Sequence, residues 1–210
     1  MKVFSFPYGL VQANMYVLVF DKEAIVIDPC VSWKDTDLSD LSIRAVLCTH
    51  GHFDHISALD EYGGDLTLPV FIDKNDKNML SDPELNHSSD FGMNIHYDGA
   101  VEVFSQSEYS NEDFNISETF SLKIVSTPGH TPGSVCFLFI DQDKKMRMFT
   151  GDMLFAGSVG RTDLGGSFQD MKRSISKLKE MADDIECYPG HGDVTDLGRE
   201  KRYNPYFHEF

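Results

Sequence analysis

Apolar residues occur in this sequence as short runs, most of them rich in Val, Ile, Leu or Phe. Residues 15–20 and 24–28 form two such runs, separated by three charged residues. This arrangement predicts a hairpin of two buried strands. Runs of similar length predict further short strands at residues 43–48, 69–73, 120–126, 134–140, 146–149 and 185–188.

Helical periodicity is clearest at residues 168–181. Apolar side chains recur there every three or four positions, at Met171, Ile175, Leu178 and Met181. This spacing places them on one face of a helix. Shorter helices are predicted at residues 56–62, 75–80 and 195–203. Residues 81–118 have a weak pattern with many Asn, Ser, Asp and Gly, which is typical of a functional loop or lid.

Four of the predicted strands are followed directly by a polar stretch. These stretches are Thr49-His50, Thr127 to His130, Gly151-Asp152 and Gly190-His191. Ligands and catalytic groups cluster at strand ends in layered α/β folds, so we expect one site there. Two sheets packed face to face, with helices outside, would bring all four ends to one rim. The predicted fold class is therefore α/β (α+β), in a single domain spanning residues 1–210.

The composition supports a folded domain and excludes several kinds of partner. Of the 210 residues, 41% are hydrophobic, which is enough for a core. The net charge of −16 excludes a basic face that binds nucleic acid. No apolar stretch approaches the roughly 18 residues of a membrane span, and the first residues lack the pattern of a secretory signal. We therefore expect a cytoplasmic protein without nucleic-acid or membrane partners.

The cysteines are far apart and form no C-x-x-C pair. They are Cys30, Cys48, Cys136 and Cys187. This spacing favours buried thiols over disulfides or a sulfur-ligated metal.

The main chemical signal is the run His50-Gly51-His52-Phe53-Asp54-His55. Imidazole and carboxylate groups suit zinc and similar cations. Four such groups within six residues of a turn cannot all reach one cation comfortably, but they can serve two neighbouring cations. The alternative is a polar turn of solvated histidines.

Three further polar residues follow strand-like runs: His130, Asp152 and His191. Each is a weak signal alone, since each also fits an ordinary turn. Together with the first run they supply five His and two Asp, a suitable number for a two-metal site. His87, His96 and His208 are interpreted as loop or surface histidines, with substrate contact as the alternative.

As an ordered set, these motifs make the chain resemble the metallo-β-lactamase superfamily. The resemblance is carried by Thr49 to His55, by Thr127-Pro128-Gly129-His130-Thr131-Pro132-Gly133-Ser134, by Thr150-Gly151-Asp152 and by Pro189-Gly190-His191-Gly192. It implies an αββα sandwich of two mixed sheets, with the metals at one edge. It also implies two divalent cations, zinc by preference, with iron or a mixed pair left open.

The resemblance further assigns each ligand to a metal. The first metal takes His50, His52 and His130; the second takes Asp54, His55 and His191; and Asp152 bridges the two.

Within the superfamily, the chain looks most like the single-domain glyoxalase-II-like hydrolases. Residues 155–166 and the tail 192–205 carry this similarity. Two-domain glyoxalase II has a Lys and a Tyr where this chain has Arg161 and Asp163, and it adds a C-terminal helical domain that this sequence lacks. We therefore expect thioester hydrolysis with a weak preference for glutathione.

The expected reaction uses a hydroxide held between the two metals to attack the acyl carbon of a small-molecule thioester. Asp54 would orient the hydroxide as well as bind metal. A thiolate leaving group needs little help from an acid, which favours thioesters. Arg161 is the candidate substrate-binding residue, although a surface pair with Asp163 that braces the loop explains it as well.

Two other functions remain open on the sequence. One is a persulfide dioxygenase-like oxidoreductase with a single iron, which shares a Gly-Arg-Thr-Asp run. The other is a non-catalytic metal-binding module. The acyl group, the thiol carrier and the oligomeric state are left open.

Overall fold

The computed structural model describes residues 1–104 and 113–209. The N-terminal half forms a mixed sheet of six strands in chain order. The first three strands are antiparallel, and the third to the sixth are parallel. They are β1 (Lys2–Tyr8), β2 (Ala13–Phe20), β3 (Glu23–Ile27), β4 (Ser42–Leu47), β5 (Val70–Asp73) and β6 (Glu102–Phe104).

The second half forms another mixed sheet of six strands, in the order β12-β11-β10-β9-β8-β7. Its neighbours are antiparallel, except that β10 and β11 are parallel. The strands are β7 (Phe114–Asn115), β8 (Ser121–Ser126), β9 (Val135–Ile140), β10 (Met146–Gly151), β11 (Glu186–Pro189) and β12 (Thr195–Asp196).

Four α-helices are found among the described residues: α1 (Phe53–Ile56), α2 (Phe168–Lys179), α3 (Leu197–Tyr203) and α4 (Tyr206–Glu209). The Ser167 hydroxyl caps α2 by accepting from the backbone N–H of Asp170, and the Asp196 carboxylate caps α3 by accepting from that of Arg199. Such caps satisfy N–H groups that the first helical turn leaves unpaired.

The central core lies between the sheets because the side chains of each inner strand alternate between two buried faces. On β2, Tyr16 and Leu18 pack against Phe137 and Phe149 of the opposite sheet. Met15 and Val17 point the other way, into a cluster that includes Ile56 and Tyr62. Helix α2 covers the outer face of the second sheet through Met171, Ile175 and Leu178. The predicted αββα sandwich is confirmed.

The differences from the prediction lie at edges and in short helices. Strand β1 was not predicted, since this edge strand is mostly exposed and lacks a clear buried face. The helix predicted at 56–62 begins earlier, as α1, and continues as a π-type turn over Asp60–Asp65. The helix predicted at 75–80 is a 3₁₀ turn, Lys77–Leu80.

The predicted loop 81–118 contains regular elements, namely β6, β7 and a 3₁₀ turn at Ser89–Phe91. Its residues 105–112 lie outside the described residues. All four cysteines are free and buried, as predicted. Within the described ranges, no helix has the length and apolar character needed to cross a membrane.

Candidate metal centre

The seven predicted ligands meet at one end of the sandwich, where strands of both sheets terminate. The chain leaves β4 through Thr49 and reaches the first four ligands on the turn into α1. His130 lies between β8 and β9, Asp152 follows β10, and His191 follows β11. The structure thus brings together residues up to 141 positions apart in the sequence.

Three imidazoles form the first cluster. The ligand atoms of His50, His52 and His130 all lie within 4.8 Å of one another, and all three residues are buried. His52 Nδ1 and His130 Nε2 are 2.8 Å apart. The three rings therefore face a common point, as a tetrahedral cation with three protein ligands requires.

The second cluster combines two imidazoles with a carboxylate. The ligand atoms of Asp54, His55 and His191 also lie within 4.8 Å of one another. The Asp54 Oδ2 atom is 3.4 Å from His55 Nε2 and 3.3 Å from His191 Nε2.

Asp152 lies between the two clusters. Its Oδ2 atom is 3.5 Å from His130 Nε2 of the first cluster and 3.4 Å from His191 Nε2 of the second. Its Oδ1 atom is 3.3 Å from His55 Nε2. One carboxylate therefore reaches both clusters.

Four of the histidines are oriented by a hydrogen bond at Nδ1. The partners are the Thr49 hydroxyl for His50 (3.0 Å), the Asp28 carboxylate for His55 (3.1 Å), the Arg161 carbonyl for His130 (2.7 Å) and the Val11 carbonyl for His191 (3.0 Å). Carbonyls and carboxylates only accept, so the Nδ1 atoms of His55, His130 and His191 carry a proton. The Thr49 hydroxyl gives its own proton to Asp28, so it accepts from His50 Nδ1. The Nε2 lone pairs are left to face the centre, which is how bonding outside a metal site fixes its ligands.

Asp28 is a functional residue that the sequence reasoning missed. Its carboxylate accepts from the backbone N–H and the hydroxyl of Thr49, at 2.7 Å each, and from His55. Because these bonds occupy both oxygens, Asp28 orients ligands rather than adding one. The available signal was a polar residue directly after a buried strand, the same signal that marked the other ligands.

Buried polar atoms without partners give an independent test of metal binding. Among the described residues, four buried side-chain atoms make no hydrogen bond: Ser32 Oγ, and at the centre His50 Nε2, His52 Nε2 and Asp152 Oδ1. An unpaired buried acceptor costs roughly 1–3 kcal/mol. A cation would satisfy His50 Nε2 and Asp152 Oδ1, and a donor set of nitrogen and oxygen suits zinc or iron. The residues present therefore fit divalent cations.

The two clusters differ in protonation. Burial lowers the pKa of His52 to about 3 and also lowers the pKa of His50 and of His130. Burial also opposes protonation of His191, but hydrogen bonds with Asp152 and Asp54 outweigh it and raise the pKa of His191 to about 9. The first cluster is consequently neutral.

His55 follows the pattern of His191. Burial opposes its protonation, but the charges of Asp54 and Asp152 raise its pKa well above the usual range. Burial opposes ionisation of both carboxyls, but His55 and His191 together outweigh it and lower the pKa values of Asp54 and Asp152. Without metal, the second cluster is an ion-paired network.

A cavity of about 600 Å³ opens onto this centre. Its walls are largely apolar, with Val11, Phe53, Phe91, Phe155 and Leu164. Pockets of this size and character bind small molecules.

His87, which the sequence analysis interpreted as a loop histidine, is a second residue of the candidate site. It lines the cavity, and its ring centroid is 5.3 Å from that of His52. Its Nδ1 atom is 2.9 Å from Asp90 Oδ2, so Nε2 remains available. The preferred interpretation of a plain loop histidine is thus replaced by a residue of the cavity wall. His96 and His208 are exposed and lie outside this wall.

Arg161 also lines the cavity, and its side chain is 61% exposed. Its guanidinium makes two 2.6 Å hydrogen bonds to Asp163, so the predicted surface pair is present. Residues 155–166, called here the cavity loop, thus contribute both a wall side chain and the carbonyl that orients His130. A Cβ at Gly160 would lie 1.9 Å from the carbonyl oxygen of Asp152, so the loop packs closely only with glycine there.

Hydrogen bonds to Glu200 of α3 and from Asn204, which follows this helix, fix the position of the cavity loop. Glu200, which is buried, accepts from the Gly157 N–H (2.8 Å), the Asn204 amide (2.9 Å) and the Thr195 hydroxyl (2.6 Å). Asn204 also donates to the Ser158 carbonyl (3.0 Å). The tail residues noted in the sequence therefore anchor one wall of the site.

Comparison with known proteins supports this interpretation of the site. The sequence profile of the metallo-β-lactamase superfamily matches residues 8–191. Probable metallo-hydrolase YqgX of Bacillus subtilis (strain 168) is 36% identical over 219 residues, covering 100% of this chain and 99% of its own. Hydroxyacylglutathione hydrolase GloC of Haemophilus influenzae is 31% identical, covering 98% of each chain.

Solved structures agree. The crystal structure of BLEG-1 B3 metallo-β-lactamase superposes with a TM-score of 0.87 and 35% identity, over 98% of this chain and 99% of that one. TTHA1623 in a di-iron-bound form gives a TM-score of 0.80 and 30% identity, over 97% and 99%. From the profile match, the full-length relatives and the fold, the chain belongs to the metallo-β-lactamase superfamily.

Proposed function

We propose that this protein is a metal-dependent hydrolase with two metals, and that its substrates are small-molecule thioesters. The observation that carries the proposal is the pair of ligand clusters joined by Asp152 at the floor of an apolar cavity. His50, His52 and His130 would hold one cation. Asp54, His55 and His191 would hold the other, with zinc as the preferred metal and iron as the alternative.

Bound cations in such a site lower the pKa of a water molecule toward 7 and polarise a substrate carbonyl. The residues of this chain would then position the reactants. Asp54 lines the cavity and its side chain is 15% exposed, so its carboxylate can accept a hydrogen bond from the attacking water.

The thioester preference rests on the leaving group. A thiol with a pKa near roughly 8.5 leaves as thiolate without a strong acid. The similarity to GloC, named as a hydroxyacylglutathione hydrolase, supports the same substrate class. Arg161 remains the candidate contact for a substrate carboxylate, although Asp163 occupies its guanidinium in the free protein.

The test combines metal analysis with two assays. The purified protein should contain about two divalent cations per chain by mass spectrometry and should release free thiol from thioesters under nitrogen. A single iron with oxygen consumption on a persulfide would instead support the dioxygenase alternative. Full metal content without activity on any thioester or persulfide would overturn both the thioester hydrolase and the dioxygenase. It would favour a non-catalytic metal-binding module or a hydrolase with another substrate.

A further inference from the structure

A second cavity adjoins the metal centre. It has a volume of about 440 Å³ and shares Val11, Phe53 and Asp54 with the first cavity. Its remaining wall includes Tyr8, Leu10 and Met93. Asp54 therefore stands where the two cavities meet, and a molecule reacting beside it can extend into both.

Two large apolar side chains in the wall of this second cavity are exposed to solvent. Leu10 is 78% exposed and Tyr8 is 57% exposed. Both lie at the β1–β2 turn, which is closed by a 3.3 Å hydrogen bond from the Gln12 N–H to the Gly9 carbonyl. The turn is also tied to the metal centre, since its Val11 carbonyl accepts from His191. Core packing does not explain these exposed side chains, but a ligand covering them would.

The described walls of both cavities offer little to hold an anionic carrier. Of their carboxylates, Asp54 and Asp152 would be engaged by the cations, and Asp90 lies beside His87. Arg161 is the one Lys or Arg side chain of these described walls, and it is already paired with Asp163. The segment 105–112, which the structure does not describe, contains no Lys or Arg in its sequence. A carrier with several carboxylates or phosphates would meet no unpaired cation on these walls.

We propose that the second cavity is a subsite for an apolar chain of the substrate. This rests on the proposed thioester hydrolysis and names its substrate class: uncharged thioesters that carry an unbranched alkyl chain of several carbons. The alkyl chain of the substrate extends from the reacting carbonyl beside Asp54 and covers the side chains of Leu10 and Met93. The alkyl chain can belong to the acyl group or to the thiol of the substrate, and the experiment varies the length of each in turn.

The experiment measures kcat/KM for two series of thioesters. One lengthens the acyl chain from acetyl to octanoyl on a small uncharged thiol, and the other lengthens the thiol with a fixed acetyl group. Full burial of a methylene is worth roughly fourfold in affinity, and this cavity is open, so about two- to fourfold per methylene is expected in one series. Acetyl- and lactoyl-glutathione form the anionic comparison and should gain less than tenfold over the same acyl group on the small thiol.

Variants at exposed positions test the wall without disturbing the core. Leu10→Asp should flatten the favourable series and lower kcat/KM for the octyl-length substrate about tenfold or more. Ile140→Asp is the matched control, because Ile140 is 46% exposed at the end of β9 remote from the metal centre. It should leave the series unchanged.

Binding of non-hydrolysable alkyl thioethers, followed by calorimetry, separates this proposal from the proposed function. Chain-length-dependent binding that Leu10→Asp weakens would support the subsite even if no thioester were hydrolysed. Hydrolysis with flat series and a large preference for glutathione would support the reaction and overturn the subsite. Flat series that are the same in Leu10→Asp and in wild type would also overturn it.

Discussion

At the scale of single residues, the histidines of the metal centre fall into two protonation states, neutral in the first cluster and protonated in the second. The first cluster contains only imidazoles, and burial keeps them neutral, with lone pairs free for a cation. In the second cluster, Asp54 and Asp152 lie 3.3–3.4 Å from imidazole nitrogens and hold protons on them. The carboxylates, rather than the depth of burial, decide which histidines are charged.

Metal binding should therefore release protons, and mainly at the second cluster. Because the pKa of His191 is raised to about 9, the metal-free site carries a proton at pH 7 that a cation must displace. Affinity for the second cation should fall as the pH falls below 9, while affinity for the first should change less. Zinc titration calorimetry in two buffers of different ionisation enthalpy measures the released protons.

The control for this titration is His208→Ala, which alters an exposed histidine on α4 outside the centre. It should release as many protons as the wild type. Equal pH dependence of the two cations would contradict the difference between the clusters.

The bridging position provides a second test. Asp152→Asn keeps the shape of the side chain but removes the charge that faces both clusters, so one metal equivalent should be lost. The value of kcat/KM should fall at least about a hundredfold, or roughly 2.7 kcal/mol of transition-state stabilisation. Metal analysis after dialysis and a thioester assay measure both effects. Asp143→Asn, an exposed substitution in the β9–β10 turn, should change neither; wild-type metal content in Asp152→Asn would refute the bridge.

At the scale of elements, a helix that supplies no candidate ligand is connected to the site through the cavity loop. Helix α3 supplies Glu200, whose buried carboxylate has no cationic partner among the described residues and is satisfied by three hydrogen-bond donors. One donor is the cavity loop at Gly157. The same loop, four residues later, uses the Arg161 carbonyl to orient His130. Glu200 on α3 is thus linked to His130 of the first cluster through the short segment from Gly157 to Arg161.

Removing this anchor should affect both stability and metal affinity. Glu200→Ala leaves the Gly157 N–H and the Thr195 hydroxyl without their acceptor, which should cost about 2–4 kcal/mol in the free energy of unfolding. The loosened loop should also weaken binding of the first cation. Urea unfolding and a competition titration with a zinc chelator measure the two effects.

Arg199→Ala is the matched control, since it alters an exposed side chain of the same helix and should change stability by less than about 0.5 kcal/mol. If Glu200→Ala proves too unstable to purify, Glu200→Gln keeps the volume and tests the charge. A loss of stability with unchanged zinc affinity would mean that Glu200 supports the fold only.

At the scale of the whole molecule, Asp76 ties the two sheets together beneath the metal centre. Its buried carboxylate accepts from the Gly51 N–H (3.2 Å) on the first-sheet side, and from the Thr131 hydroxyl (2.6 Å) and the Gly133 N–H (2.7 Å) on the second. The two loops that carry His50, His52 and His130 therefore share one anchor.

This anchor should make stability depend on pH. Burial raises the pKa of Asp76 to about 6, against the opposing effect of its hydrogen bonds. A raised pKa means that the fold favours the neutral form, so the contribution of Asp76 is full below about pH 4 and is lost as the pH rises through 6. The loss amounts to about 3 kcal/mol, at 1.36 kcal/mol per pKa unit.

The measurement compares wild type and Asp76→Asn by urea unfolding from pH 4 to pH 7, with a chelator present. Asn resembles the neutral carboxyl and does not titrate, so the wild type should lose stability relative to the variant as the pH rises. Parallel curves would show that Asp76 keeps its charge throughout.

Local sequence pattern was sufficient for most of the fold and for choosing the seven candidate ligands that the structure brings together. Short apolar runs predicted the inner strands because burial on both faces leaves few polar positions in them. The candidate ligands were selected because each follows the end of such a strand, and because His50 to His55 are dense in imidazole and carboxylate. Strand β1 was missed because an edge strand buries little and so has no marked pattern.

Other features were decided only by the tertiary structure. The protonated nitrogen of His55, His130 and His191 depends on partners distant in sequence, such as Val11 for His191, 180 residues away. The roles of Asp28, Asp76 and Glu200 likewise depend on donors brought to them by folding, and the position of Asp28 directly after a strand does not reveal which donors those are. Spacing along the chain determines which groups can bind a metal, whereas burial and the arrangement of charges in space determine their protonation and orientation.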